Sequence, residues 1–213
     1  MIKNSKAPAG SPCGSSKIKN SSNGAGYTII ELLVVIGIIS LLTSIVISGF
    51  YEFKVQSSLS RVAYTFGQNM RRAQEMSLSS GTYKDSEGAL HPVDGYGVYV
   101  DTLDNKKYVI YADALSDDDD DGGPGGGQYS FNPGLDYVVE TINFSISEPG
   151  IIIKQINYVP STNVSINFSP PNPITTITPF PTQNAAEVVF AVESDLTKTK
   201  TVSINTAGLV EVR

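Results

Sequence analysis

An uninterrupted apolar run stands out near the start of the chain, where no charged residue occurs in the 20 positions from Leu32 to Tyr51. This length is about what an α-helix needs to cross a ~30 Å hydrocarbon core at ~1.5 Å per residue. A single acid, Glu31, immediately precedes the run. Because a carboxylate beside a membrane segment is costly without a partner, its position indicates a functional role.

The helical pattern continues beyond the apolar run. The three- and four-residue spacing of one helix face is followed by Leu59, Val62, Ala63, Phe66, Met70, Ala73 and Ser77. No proline interrupts Tyr27 to Ser80, and Gly81 is a suitable helix end. The pattern predicts one helix over residues 27–80. Residues 27–51 would form its membrane-spanning and assembly part, and the second half would pack its apolar stripe on the rest of the chain.

After Gly81 the pattern changes to short β-branched and aromatic runs separated by turn residues, which predicts a β-rich domain over residues 81–213. The predicted strands are Tyr96–Val100, Tyr108–Tyr111, Tyr137–Ile146, Ile151–Val159, Val164–Phe168, Glu187–Glu193, Thr201–Asn205 and Leu209–Val212. The first two would form a hairpin around Leu103–Asn105. Five prolines between Ser169 and Pro181 predict an extended surface loop. The predicted fold class is α+β, with the long helix packed on an antiparallel sheet.

Charge is distributed unevenly along the chain. Residues 1–26 carry four lysines and no acid, and the remainder holds 11 basic and 21 acidic residues. Positive residues just before a membrane segment tend to stay cytoplasmic, so the chain after Phe53 is expected to be extracytoplasmic. The acidic remainder argues against nucleic acid as a partner. A secretory signal peptide has small residues after its apolar core. Here the small residues, Gly24–Gly26, come before the apolar run, which is the reverse of the order in a signal peptide.

The segment from Gly26 to Ile36, GYTIIELLVVI, resembles the cleavage and methylation motif of type IV prepilins and pseudopilins. The resemblance implies that prepilin peptidase cleaves the Gly26–Tyr27 bond and removes residues 1–26 as a leader. It also implies N-methylation of Tyr27, which stands where the family usually has phenylalanine. In family filaments the glutamate is thought to neutralise the N-terminal amine of a neighbour, a role that would fall to Glu31. Two opposite charges attract strongly in low dielectric, and either alone is heavily penalised there.

Looser patterns in the rest of the chain resemble the H-type minor pseudopilins and related minor pilins. They are Met70–Gln74, Ser80-Gly81, Tyr96–Tyr99 and Thr201–Val210. This resemblance implies a subunit of a type IV pilus or type II secretion-like filament, held in the cytoplasmic membrane before assembly. The implied partners are prepilin peptidase, other pilin subunits, an inner-membrane assembly platform and membrane lipid. The residues leave open a single-pass anchor that carries a ligand-binding β domain and never polymerises.

An acidic, glycine-rich loop is predicted over residues 113–128. The opening of a calcium-binding EF-hand loop is matched by Asp117, Asp119, Asp121 and Gly122. Asp113 is a further candidate ligand, but the twelfth loop position is Gln128 rather than glutamate. Runs of like charge and glycine are usually solvated, so we favour a loop without metal. Bound Ca²⁺ is the alternative, and it would suit a Ca²⁺-dependent adhesin at a filament tip.

No enzymatic activity is predicted. His91 is the only histidine, and the following Pro92 predicts a surface turn at this position. The chain has neither a nucleophile elbow nor a Walker A loop. Zinc is not expected, because the only cysteine, Cys13, lies in the predicted leader. No cofactor is predicted apart from the candidate Ca²⁺.

Overall fold

The computed structural model describes residues 26–79, 81–114, 130–170 and 174–213. It contains a long N-terminal helix and a C-terminal antiparallel β-sheet domain, which confirms the predicted α+β class at that level. The first helix, α1, runs from Ile29 to Ser79. The chain divides into two compact units, Met1–Val46 and Ile47–Arg213.

Ten strands and a second, short helix follow α1 among the described residues. They are β1 (Thr82–Lys84), β2 (Leu90–Asp101), β3 (Lys107–Ala114), β4 (Tyr137–Asn143), α2 (Phe144–Ser147), β5 (Ile151–Asn157), β6 (Asn163–Ser169), β7 (Ile174–Thr178), β8 (Ala185–Val192), β9 (Asp195–Asn205) and β10 (Val210–Val212). One sheet has the order β4-β3-β2-β6-β7, with β1 paired to the outer part of β2. The other has the order β10-β9-β8-β5.

The predicted apolar stripe of α1 forms the centre of the core, and all seven of its residues are at most 4% exposed. Phe66 shows how the helix packs. Its ring meets Tyr108 of β3 at 4.9 Å and Phe190 of β8 at 5.3 Å, measured between ring centroids. Since β3 and β8 belong to different sheets, this face of α1 packs against both of them.

The β2–β3 hairpin is confirmed. The two strands pair in antiparallel register from Val100↔Tyr108 to Val93↔Ala114, with an irregularity between Val93 and Gly95. The connection between the strands contains the predicted Leu103–Asn105 turn.

One predicted strand, Tyr137–Ile146, is too long. Strand β4 ends at Asn143, whose side-chain oxygen accepts a hydrogen bond from the backbone N–H of Ser145 at 3.0 Å. Asparagine favours this N-cap role because its short polar side chain satisfies a helix N–H that has no partner within the helix. The cap starts α2, and Phe144 is buried in the first position of this helix.

The prediction of an extended surface loop over the proline-rich segment is also corrected. It contains strand β7, which pairs with β6 from Ser165↔Thr178 to Ser169↔Ile174. The prolines lie outside the five β-branched residues Ile174–Thr178, so β7 keeps all of its backbone donors. Pro171 and Pro173 lie outside the described residues.

His91 lies in strand β2 rather than in a surface turn. It pairs with Tyr83 of β1, in a short hairpin that was not predicted from the sequence. The neighbouring Pro92 is tolerated there because β2 pairs only with β1 at this position, which leaves the other side of the strand unpaired.

A close approach between strands makes Gly97 a sensitive position. A Cβ atom there would lie 2.5 Å from Cζ of the buried Tyr111 and 2.7 Å from the carbonyl oxygen of Ile166. We expect Gly97→Ala to lower the free energy of unfolding by about 1–3 kcal/mol, because neither a buried ring nor a backbone can move aside freely. Thermal unfolding of the full chain in detergent measures this effect. Gly81→Ala is the control, since a Cβ atom at Gly81 meets nothing within 4 Å; equal losses in the two variants would contradict the explanation.

Candidate functional site

The apolar part of α1 is the most distinctive surface of the chain. Among the described residues, α1 is the one helix long and apolar enough to cross a membrane, and its best window has a mean hydropathy of 2.7. None of that window is buried. The large apolar side chains between Ile29 and Val46 are 49–86% exposed. A helix that is apolar on all sides needs an apolar environment from outside the chain, either lipid or other helices.

The start of α1 is fixed by Thr28. The backbone N–H of Glu31 donates to the carbonyl oxygen of Thr28 at 3.1 Å and to its Oγ1 at 3.3 Å. The Thr28-x-x-Glu31 spacing is that of a capping box, a local sequence signal of a helix start. Glu31 is exposed in the first turn of α1, where an acid also complements the positive end of the helix dipole. Glu31 therefore has a local role at the start of α1, in addition to the role predicted from the sequence.

A polar side chain within the apolar part is satisfied by the helix itself. Thr43 Oγ1 donates a hydrogen bond to the carbonyl oxygen of Ile39 at 2.7 Å. In hydrocarbon an unpaired hydroxyl is costly, and this bond back to the preceding turn removes the penalty. Thr43 is thus compatible with a membrane span.

The two residues at the predicted cleavage bond are accessible. Tyr27 is 82% exposed, and Gly26 is exposed. A Cβ atom at Gly26 would meet nothing within 4 Å, so packing within the chain does not require glycine there. Cleavage between Gly26 and Tyr27 and methylation of Tyr27 stay predictions.

The predicted calcium ligands are only partly within the described residues. Asp117, Asp119 and Asp121 lie outside them. Asp113, near the end of β3, is 2% exposed and accepts a hydrogen bond from Asn167 Nδ2 at 2.6 Å. The parts of the chain that the structure describes hold no group of three or more His, Cys, Asp or Glu residues placed to bind a metal. The calcium site stays a prediction.

The single histidine forms part of a local structural cluster. His91 Nε2 lies 2.9 Å from Asp85 Oδ2, and the imidazole stacks on Tyr137 with ring centroids 4.6 Å apart. The hydrogen bond from His91 holds the pKa of Asp85 below its usual value, and backbone N–H groups of Glu87 and Ala89 add to this effect. The Asp85 contact closes the β1–β2 hairpin and the Tyr137 contact joins it to β4, so the packing of this hairpin accounts for the Asp–His pair.

The fold and the exposed helix define an α+β protein with a candidate N-terminal membrane anchor. Two curated proteins from Dichelobacter nodosus, each called a probable minor fimbrial protein, are similar to this chain. One is 39% identical over 64 residues and the other 38% identical over 63 residues, which in each case is 30% of this chain. The chain spans about 40% of the length of these curated relatives. No family model matches the chain, and no solved structure matches it.

Proposed function

We propose that this chain is a structural subunit of a pilus-like filament, and specifically a minor pilin or pseudopilin of a type IV pilus or type II secretion-like machine. The observation that carries this proposal is the division of α1 into two parts. The first part exposes apolar side chains on all sides, whereas the second buries its stripe in the β domain. The similarity to probable minor fimbrial proteins supports a filament role.

The exposed part of α1 suits a subunit that moves from lipid into a filament. Lipid tails and the apolar faces of other helices are chemically alike, so such a helix can exchange one environment for the other. Before assembly the chain would be a single-pass protein of the cytoplasmic membrane, with residues 81–213 outside. Afterwards the same helices would form the centre of a cell-surface or periplasmic filament.

Processing by prepilin peptidase would prepare the subunit. The enzyme would remove residues 1–26 on the cytoplasmic side, and methylation of Tyr27 would follow. The exposure of Tyr27 supports this step, because a peptidase needs an accessible bond. The open space around Gly26 supports it as well, since packing within the chain gives no reason for glycine.

The mass of the protein extracted from membranes tests the proposal. In cells with prepilin peptidase we expect a chain that begins at Tyr27 and carries one added methyl group. Cells without the peptidase should contain the unprocessed chain. Gly26→Val should block processing even when the peptidase is present, because the branched side chain would not fit an enzyme that selects glycine. Gly37→Ala is the control, as a Cβ atom at Gly37 also meets nothing within 4 Å.

An unprocessed chain in both strains would contradict the proposal. The alternative that the sequence leaves open would then apply: a single-pass anchor would carry a β domain that binds a ligand without polymerising. Normal processing of Gly26→Val would also count against it, since the bond would not be selected through its glycine.

A further inference from the structure

Two turns of the β domain lie beside the part of α1 that directly follows the apolar run. They are Ile146–Gly150, from the end of α2 to the start of β5, and Glu193–Lys198, which runs from the end of β8 into the first residues of β9; we refer to them as the basal turns. Lys198 Nζ lies 3.5 Å from Glu52 Oε1, and Glu148 Oε1 lies 2.6 Å from Arg61 Nε. All of these residues belong to the unit Ile47–Arg213.

The basal turns expose apolar side chains where water would surround them. Ile146 is 85% exposed and Leu196 is 47% exposed, and Phe53 on the adjoining part of α1 is 71% exposed. A groove of about 510 Å³ separates the two turns. Its lining includes the apolar Val55, Ile151 and Val192, and the exposed Lys54.

Helix geometry places these groups close to the point where the chain enters a membrane. The apolar run ends at Tyr51. At a rise of ~1.5 Å per residue, Glu52 to Arg61 lie about 2–15 Å further along the helix axis. The headgroup region adds roughly 5–8 Å to each side of the hydrocarbon core. The Glu193–Lys198 turn, in contact with Glu52, therefore falls within headgroup depth. The Ile146–Gly150 turn reaches from the level of Lys54, about 5 Å along the axis, to that of Arg61, about 15 Å, so it extends beyond the headgroups.

We propose that the basal turns contact the bilayer surface while the subunit is held in the membrane. Leu196 would rest near the boundary between headgroups and acyl chains, as apolar side chains of interfacial segments do, and Ile146 would face the outer side of the headgroups. Lys54 would contact an anionic phospholipid headgroup. The two acids that also line the groove are already paired, Glu148 with Arg61 and Glu193 with Lys106. This inference rests on the membrane anchor in the proposed function. It makes lipid a binding partner of the β domain as well as of α1.

A single tryptophan provides the test, because the natural chain contains none. Leu196→Trp and Ile146→Trp are made in the full chain and reconstituted in vesicles of phosphatidylcholine and phosphatidylglycerol with acyl chains brominated near the headgroup. Bromine quenches tryptophan at short range. We expect Leu196→Trp to lose most of its fluorescence and Ile146→Trp to lose a smaller part, in the order of their distance from the end of the apolar run.

Leu209→Trp is the matched control. Leu209 is 65% exposed, and the neighbouring Gly208 carbonyl oxygen accepts a hydrogen bond from Gln74 Nε2 at 3.5 Å. Gln74 lies about 30 Å further along α1 than Lys54, at ~1.5 Å per residue, so this tryptophan should keep its fluorescence.

Ile39→Trp, within the apolar run, is measured in vesicles whose acyl chains are brominated near their methyl ends, and it separates failure of this inference from failure of the proposed anchor. If Ile39→Trp is quenched while Leu196→Trp resembles Leu209→Trp, the anchor holds and the surface contact is overturned. If Ile39→Trp itself keeps its fluorescence, the membrane span is wrong, and the surface contact fails with it.

Discussion

Glu31→Gln should abolish filament assembly while leaving insertion of the protein into the membrane unchanged. In the proposed filament, the carboxylate of Glu31 neutralises the N-terminal amine of a neighbouring subunit at membrane depth. Removing one partner of a buried ion pair leaves the other charge without compensation. This destabilises the contact by about 3–5 kcal/mol. At ~1.4 kcal/mol per tenfold change, each subunit contact would weaken by roughly 10²- to 4 × 10³-fold. Assembly requires this contact at every step, whereas insertion depends on the apolar run.

Glutamine separates the charge of Glu31 from its local role in the helix. The hydrogen bonds to Thr28 come from the backbone N–H of residue 31, so they survive the substitution. Glutamine also fits the third helical position of a capping box. Thr28→Ala is the matched control: it removes the cap, worth about 1 kcal/mol, and keeps the charge. We expect it to assemble.

The measurement compares filaments sheared from cells with the protein in the membrane fraction. The expected pattern is normal amounts of Glu31→Gln in membranes and none in filaments, with Thr28→Ala present in both. If Glu31→Gln formed filaments in the same amount as the natural protein, assembly would not require the charge of Glu31. If only Thr28→Ala failed to assemble, assembly would depend on the helix cap at Thr28 rather than on the charge of Glu31.

The elements predicted correctly from the sequence are those whose signal is local. Leu59 to Ser77 carry the period of a helix face, and the structure buries all seven stripe residues. The β2–β3 hairpin has β-branched and aromatic runs on both sides of a short turn. In both cases neighbouring residues determine the pattern, so a short window of sequence is enough.

The missed elements depend on contacts between distant residues or on overlapping signals. Strand β7 is a five-residue run flanked by prolines, and it is recognised as a strand only through its pairing with the distant β6. Strand β1 has three residues, too few for a visible alternation. The division into two sheets follows from pairings such as β5 with β8, which no local pattern indicates.

A sequence motif, rather than geometry, indicates the predicted site residues. Gly26, Tyr27 and Glu31 stand in the order of this motif before the apolar run. The structure adds that Tyr27 is accessible and that Thr28 caps the helix. The capping signal, Thr28 three residues before Glu31, is local and is therefore visible in the sequence. The contact between the basal turns and α1 could not be predicted, because it joins residues about 90 or more positions apart, as in Arg61 with Glu148.

Phe66→Ala should destabilise the β domain more than any substitution on its surface. The side chain is 0% exposed, and its ring meets Tyr108 and Phe190 edge-on, one from each sheet. Truncating a buried phenylalanine removes its apolar contacts and leaves a cavity, a loss of about 3–5 kcal/mol. Two sheets meet the helix at this residue, so neither can close the gap without disturbing the other. For a unit of this size we expect a fall in melting temperature of roughly 6–20 °C.

Tyr64→Ala is the matched control, because it removes an aromatic ring from the same helix at a position that is 55% exposed. Its unfolding free energy should stay within about 0.5 kcal/mol of the natural protein. Thermal unfolding of the full chain in detergent measures both variants, and membrane insertion should be unchanged in both because the apolar run is intact. If Phe66→Ala lost no more stability than Tyr64→Ala, the packing of α1 between the sheets would be wrong. Assembly of Phe66→Ala at low temperature, despite its lower stability, would be informative as well. The filament contacts would then depend on the exposed part of α1 rather than on the core between α1 and the two sheets.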